Sequence, residues 1–373
     1  AGGVQAAVER TLQRGEVVYG TFVPHPDEFP DELHFDCRVH RISDNACQNL
    51  ETLSSVVWHR GVAGVPNVTA AVLGAVIEAL ERYEPGVAAE VHRHVLPLNE
   101  VRLGSRAFSG CRRLASVVLP DGLAEIGRGA FSWCTELRSI VLPDGLLRLG
   151  REAFLACIEL ESVALPPGLT SIGLAAFEQC AKLGSVELPV ALVHIERSTF
   201  NRCSALTSVA FSDQLATIDD YAFHDCFRLA SAVLPAGLSR IGESAFEGCC
   251  KLASVTLPAS LTRIDDCAFN MCISLTSVTL PDGLAQIKGG AFYGCRSLTS
   301  VTLPKRLIRI EGYAFYDCRG LTFIELPDGL AHIGECAFAC TGLKVVVLPP
   351  KTRCCRDTAF NKGVDVVTMA TKF

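Results

Sequence analysis

The apolar positions of this chain repeat with a fixed period. Phe stands at Phe108, Phe131, Phe154, Phe177, Phe200, Phe223, Phe246, Phe269, Phe292, Phe315 and Phe338, always 23 residues apart. Three residues after each comes a Cys, from Cys111, Cys134 and Cys157 through Cys318, and an eleventh, Cys340, arrives one residue early. The same deletion moves Leu343 and Pro349 forward, and Phe360 keeps the shifted register. One period reads A-F-x-x-C-x-x-L-x-x-V-x-L-P-x-x-L-x-x-I, as in Ala291 to Ile310. Its L-x-x-V-x-L stretch ends in alternation, which predicts a short strand with one buried face. Pro follows, removes a backbone donor and ends the ladder. The L-x-x-I pair then predicts a second apolar edge on the opposite side, before Ala-Phe returns the chain inward. Each period is one coil of a solenoid, and stacking lets each apolar residue lie on its counterpart above and below. At a strand spacing of about 4.8 Å, eleven coils span roughly 50 Å.

The motif resembles the leucine-rich repeat of the 23-residue BspA (bacterial surface antigen) type, on residues such as Leu275-Thr276-Ser277-Val278-Thr279-Leu280-Pro281. The resemblance covers about Leu96 to Pro350. It implies an α/β-type repeat solenoid, a horseshoe or arc with a parallel β-sheet of about eleven coils on its concave side. It also implies a role in protein–protein interaction. The family includes many surface proteins, so the resemblance fixes no compartment.

The ends depart from the period. Residues 1–95 lack it and are read as an N-terminal cap or small mixed module, mainly helical. Val4 to Arg14 has helical spacing, and Pro66 to about Tyr83 reads as an amphipathic helix stopped by Glu84-Pro85-Gly86. Residues 96–350 form the solenoid, with Val91 to Phe108 as a degenerate opening coil. Residues 351–373 form a C-terminal cap, in which Val364 to Met369 reads as a closing strand. Such caps shield terminal apolar faces.

Composition changes this picture little. The 373 residues are 49% hydrophobic and 20% charged, with 34 Lys+Arg against 40 Asp+Glu and a net charge of −6. That balance argues against general nucleic-acid binding. The longest uncharged apolar stretch, near Val68 to Ile77, falls short of the roughly 20 residues a bilayer needs, so no transmembrane segment is predicted and the chain is read as soluble. It begins at Ala1 without an initiator Met, which fits either removal of a targeting peptide or a fragment.

Candidate chemistry is sparse. The Cys column reads as small buried thiols packed at a turn, since parallel stacking holds neighbouring Cβ atoms farther apart than a disulfide favours. Cys249-Cys250 and Cys354-Cys355 are close neighbours but lack His partners for zinc. Cys267 and Cys336 share a column three coils apart. The acidic stretch His25, Asp27, Glu28, Asp31, Glu32, His34 and Asp36 reads as a solvated loop, with cation or basic-partner binding as the alternative. No nucleophile elbow, P-loop, dinucleotide fingerprint or H-E-x-x-H is present. His194, His224 and His332 approach Cys in sequence only through the repeat. No enzyme activity and no cofactor or metal is predicted.

Two surface rows remain. Outward positions flank the buried Val of the concave sheet. The first is Ser from Ser116 through Ser300, then Phe323 and Val345. The second includes Glu187, Val233, Thr256, Thr279, Thr302, Glu325 and Val347. This nearly uncharged, β-branched face reads either as ordinary β-propensity or as a docking face with Phe323 as anchor. On the opposite edge, Arg148, His194, Arg240, Arg263, Arg309 and His332 precede the second-strand Ile or Leu. They form a candidate anion-binding strip, or a solvated face diluted by Asp219, Asp220, Asp265, Asp266 and Glu311. The leading expectation is a non-catalytic protein-binding solenoid, a scaffold or subunit of a larger complex. An exported surface adhesin is the alternative, and enzyme activity in the N-terminal region the weakest reading. Free thiols favour an intracellular or organellar location, with the cell surface open.

Overall fold

The computed structural model describes residues 32–35, 41–42, 55–58, 101–354 and 356–368. It is a parallel-strand solenoid of about eleven leucine-rich-repeat coils. In most coils the L-x-x-V-x-L stretch forms a three-residue strand whose outer residues are exposed and whose central one is buried, as in Ser185–Glu187 or Ser277–Thr279, or half-buried, as in Ser254–Thr256. The L-x-x-I stretch forms a two-residue strand on the other side, such as Arg240–Ile241. Between them the chain turns at Pro, where for example the Leu238 N–H donates to the Pro235 carbonyl at 3.1 Å.

The first row of strands pairs coil by coil rather than continuously. Ser139–Val141 ladders onto Ser162–Ala164, Ser185–Glu187 onto Ser208–Ala210, and Ser277–Thr279 onto Ser300–Thr302. The second row is more continuous, running in sets of five, four and four strands. One coil departs from the expected pattern: residues 321–327, which carry Phe323 and Glu325, form no strand.

A third line of bonds closes each coil at the Ala-Phe corner. The N–H of Phe223 donates to the carbonyl of Ala245 in the next coil at 2.8 Å, and Tyr221 and Asp225 donate to Glu243 and Glu247 at 2.8 Å. Aiming three donors the same way requires a left-handed residue two places before and two places after Phe, here Tyr221 (φ 57°) and Asp225 (φ 56°). The same pair recurs in every coil from Arg106 to Cys340. A left-handed residue is costly for most side chains, and three bonds per corner offset it.

Inside the corner the eleven Phe side chains are fully buried and stacked, with neighbouring centroids 5.2–5.5 Å apart and ring planes within 13°. Phe360 extends the column, 5.6 Å from Phe338. The thiols do more than fill space. Each Sγ from Cys134 to Cys318 donates to the Phe carbonyl of the preceding coil at 3.1–3.3 Å, as Cys226 does to Phe200. Burial pushes these thiols well above their usual range, to about 12 for Cys157 and Cys318. Cys340 does not belong to this column. It is exposed, it occupies the left-handed position (φ 59°), and buried Thr341 stands in the Cys place, donating to the Phe338 carbonyl at 2.8 Å. The one-residue deletion therefore falls after Thr341.

The described part of the N-terminal region is strand, not helix. We number its strands β1 (Glu32–Phe35), β2 (Arg41–Ile42) and β3 (Ser55–Trp58), followed by β4 (Val101–Leu103) and β5 (Ser116–Val117). β1 pairs with β3 and β3 with β5 in the first row, while β2 pairs with β4 in the second. Glu32 and His34 thus lie on a strand rather than in a loop, and the ladders reach back to residue 32. Val117 and Ile126 lie nine residues apart within one coil, whereas their register partners Val56 and Leu103 lie 47 apart. The difference places 38 inserted residues inside a single coil. The helices predicted at Val4 to Arg14 and Pro66 to Tyr83 lie outside the described residues, as do His25 to Asp31. At the other end, Arg353–Cys354, a four-residue helix α1 (Arg356–Ala359) and the strand Asp365–Thr368 close the stack, the last pairing with Val345–Leu348.

Replacing Cys226 by Val, close in volume but without a donor, removes one of the two bonds to the Phe200 carbonyl, which keeps the Cys203 N–H at 3.1 Å, and should cost about 0.5–1.5 kcal/mol in chemical denaturation. A loss near zero would mean the thiol only packs. The thiols also set an alkaline limit. Their folded-state pKa lies above the unfolded value near 9, so their contribution is complete below pH 9 and is lost as pH rises toward about 12. Each thiol contributes a slope of about 1.4 kcal/mol per pH unit in that window, so C226V should show the slope reduced by one proton.

Candidate functional site

The first-row strands present one side chain inward and two outward, and the outward ones form two parallel rows. Ser116 through Ser300 are all exposed. In the second row Glu187 lies beside Ala210, Val233 beside Thr256, and Thr279 beside Thr302, all exposed. Val141 and Val233 are 78% and 71% exposed. The apolar character concentrates at the C-terminal end. Phe323 is 70% exposed, in the coil next to exposed Val345 and Val347, with Glu325 on its flank. Val347 pairs with exposed Val367, which enlarges the patch. Sequence reasoning treated that residue as part of a cap strand. No ladder forms through residues 321–327, so Phe323 marks both the change from Ser and an interruption of the sheet.

The second row brings the candidate anion strip into register but also supplies its counter-charges. His194, Thr217, Arg240 and Arg263 are successive neighbours, as are Gln286, Arg309 and His332. Arg148 pairs with Glu125 at 3.1 Å, Arg263 with Asp265 at 2.6 Å and Arg309 with Glu311 at 2.8 Å. Arg240 binds three carboxylates, Asp219 at 2.7 Å, Asp220 at 2.9 Å and Asp265 at 3.0 Å. His194 Nδ1 meets the Thr217 hydroxyl at 2.7 Å. The Arg309 hydrogen bond holds Glu311 below the usual carboxylate range. Glu125 stands in the row itself, Asp219, Asp265 and Glu311 lie two residues further along the coil and Asp220 three, so the cations are matched by carboxylates and the row is close to neutral.

The corner thiols are poorly suited to nucleophilic chemistry. His224 lies near Cys226 in sequence, but its Nδ1 faces Asn201 Oδ1 at 3.2 Å and Asp225 at 3.5 Å. The Cys226 thiol is buried, bonded to a carbonyl and pushed up by burial. A thiol held protonated is a weak nucleophile. Cys267 and Cys336 occupy left-handed corner positions and are half-buried. Among the described residues no three His, Cys, Asp or Glu side chains converge in a metal-like group, and no helix is long and apolar enough to cross a membrane.

Two-row parallel coils with this 23-residue motif define a leucine-rich-repeat protein. The BspA-type leucine-rich-repeat region matches in six copies over residues 91–205, 148–276 and 262–369, and the chain belongs to that family. Among solved structures it is similar to a leucine-rich repeat protein from Bacteroides ovatus, at 25% identity and TM-score 0.60, covering 92% of this chain and 82% of that one. It is also similar to a leucine-rich cell surface protein from Faecalibacterium prausnitzii (25% identity, TM-score 0.47, 75% of this chain and 85% of that one). A third likeness is the leucine-rich repeat protein of T. pallidum (30% identity, TM-score 0.41, 49% and 78%). Of these, the first superposes at the level of the whole fold. Comparison with curated proteins gives no match.

The Arg240 cluster makes a stability prediction. Arg240→Met removes the shared partner of three carboxylates, one of them buried Asp265, and should cost about 1–3 kcal/mol near neutral pH. The loss should shrink as ionic strength is raised, because salt screens the partly exposed charges. A salt-independent loss would assign the effect to packing instead.

Proposed function

We propose that this chain is a non-catalytic protein-binding solenoid, a scaffold or subunit of a larger assembly, which docks its partner on the exposed face of the first strand row. The observation that carries this reading is the Phe323, Val345, Val347 and Val367 patch. Four large apolar side chains lie exposed together on a rigid frame, where nine other coils carry Ser in the Phe323 position. Exposed clusters of this kind mark interaction surfaces more often than isolated residues do. An aromatic residue ringed by aliphatic ones is a typical binding anchor. Thr256, Thr279 and Thr302 continue the face with polar, β-branched groups, and Glu187, Val233 and Glu325 vary it along the stack. The family resemblance supports reading this sheet as the concave side. The paired-charge row is the weaker candidate, because an anion there competes with carboxylates already in place.

A partner purified with the native chain should be lost from the triple variant Phe323→Lys, Val345→Lys, Val347→Lys, while the variant's far-ultraviolet circular dichroism and melting curve stay close to the parent. Capture that survives would remove this face from consideration.

We further infer a reducing compartment. The free thiols include exposed Cys340 and half-buried Cys250, Cys267 and Cys336, which oxidise readily where disulfides form. Thiol mapping on the native chain from its source should find, among the described residues, these four reactive and the column thiols slow. Extensive bridging would favour export and a surface role.

A further inference from the structure

The corner rows carry an internal comparison. Residues four coils apart occupy equivalent places, so Arg197, Tyr221 and Glu243 correspond to Gly289, Tyr313 and Glu335. In the first set the Arg197 guanidinium lies 5.2 Å from the Tyr221 ring centroid, a cation–π distance, and the Tyr221 hydroxyl donates to Glu243 at 3.0 Å. In the second set the tyrosine and the glutamate remain, and the cation is replaced by glycine. Gly290 and Gly312 likewise stand where Ser198 and Asp220 do. The loss of three side chains leaves an open groove of about 420 Å³, bounded by Asp266, Asn270, Tyr293 and Tyr313.

The groove wall is mostly apolar, and beneath it one row of polar pairs is interrupted. Asn201 and Asn270 share one row. Asn201 donates Nδ2 to Glu178 at 2.9 Å, and its Oδ1 faces His224 Nδ1 at 3.2 Å. Asn270 donates Nδ2 to Glu247 at 2.8 Å, but the next residue in its row is Tyr293, and its Oδ1 is buried without a partner. A buried acceptor left unpaired is costly. The local field is negative. Besides burial, the carboxylates of Glu247, Asp266 and Glu243 act on the Cys267 thiol, and Glu335 acts on Tyr313. The nearby cation Lys288 acts on Glu311.

We propose that this groove binds an arginine side chain of a protein partner. Its guanidinium lies over Tyr313 as that of Arg197 lies over Tyr221, and Asp266 meets its charge. The site is distinct from the strand-row patch and does not depend on docking there.

The test is a titration of N-acetyl-arginine methylamide into the full chain carrying ring-labelled tyrosine, followed by NMR. Saturable shifts are expected at Tyr293 and Tyr313 and none at Tyr221, whose cation is already in place. The citrulline analogue, the same shape without charge, should bind at least about fivefold more weakly. Gly289→Arg rebuilds the Arg197-type contact within the chain and should abolish the shifts. The fold accepts arginine in this row at Arg128 and Arg151, and Glu243 keeps the same backbone bond to Asp220 (3.0 Å) that Gly289 makes to Asp266 (2.8 Å). Tyr313→Ser, matching Ser198 and Ser244 in the same left-handed place, should weaken binding to the citrulline level. Absence of saturable shifts, equal binding of arginine and citrulline, or shifts that survive in both variants would overturn the proposal.

Discussion

Every coil depends on one corner, where a buried phenyl ring stacks on the ring of the coil before. Parallel rings about 5.4 Å apart are possible only if successive backbones stay in register. Three features hold that register together: two left-handed residues around each Phe, three intercoil N–H···O bonds, and a thiol donating across to the neighbouring Phe carbonyl. The thiol suits this place because it is small and apolar enough for a dry column yet still carries a donor. Where the Cys is missing, Thr341 is buried and turns its hydroxyl to a Phe carbonyl of its own coil, and the following turn is one residue shorter.

Because the corner fixes the register, the outward positions become straight rows whose composition is free to vary. The second strand row spends that freedom on stability, as Arg240 between Asp219, Asp220 and Asp265 shows. The first row holds to Ser on one side and, apart from Ala164, Glu187 and Ala210, to β-branched residues on the other until Phe323, where the ladder breaks and apolar side chains gather. The corner row varies most, passing from Arg197 over Tyr221 to the glycines beside Tyr313. A repeat protein thus supplies its own controls, since the same position with another side chain lies 23 residues away.

The period made the fold legible, because a 23-residue column of Phe admits few arrangements besides stacked coils. The outward placement of Val233, Thr256 and Phe323 followed from alternation alone. Other features were hidden for identifiable reasons. The left-handed pair leaves no residue signature, since Tyr, Glu, Ser, Cys and Gly all occupy it. Cys340 imitated the column because the deletion sits beside it, and only the buried Thr341 reveals the true register. The coil at Ser55–Trp58 escaped detection because 38 inserted residues separate its two strands, although Leu53-Ser54-Ser55-Val56-Val57 repeats the form of Leu114-Ala115-Ser116-Val117-Val118. The groove at Tyr313 required coordinates, because it is defined by side chains that are absent.

The most direct test of the corner is a double-mutant cycle on the phenyl column, with stability measured by denaturant. Phe200→Leu and Phe223→Leu, in adjacent coils, should couple by about 0.5–1.5 kcal/mol, whereas Phe131→Leu and Phe315→Leu should add independently. Strict additivity in both pairs would show that the rings merely fill volume and that register is held elsewhere.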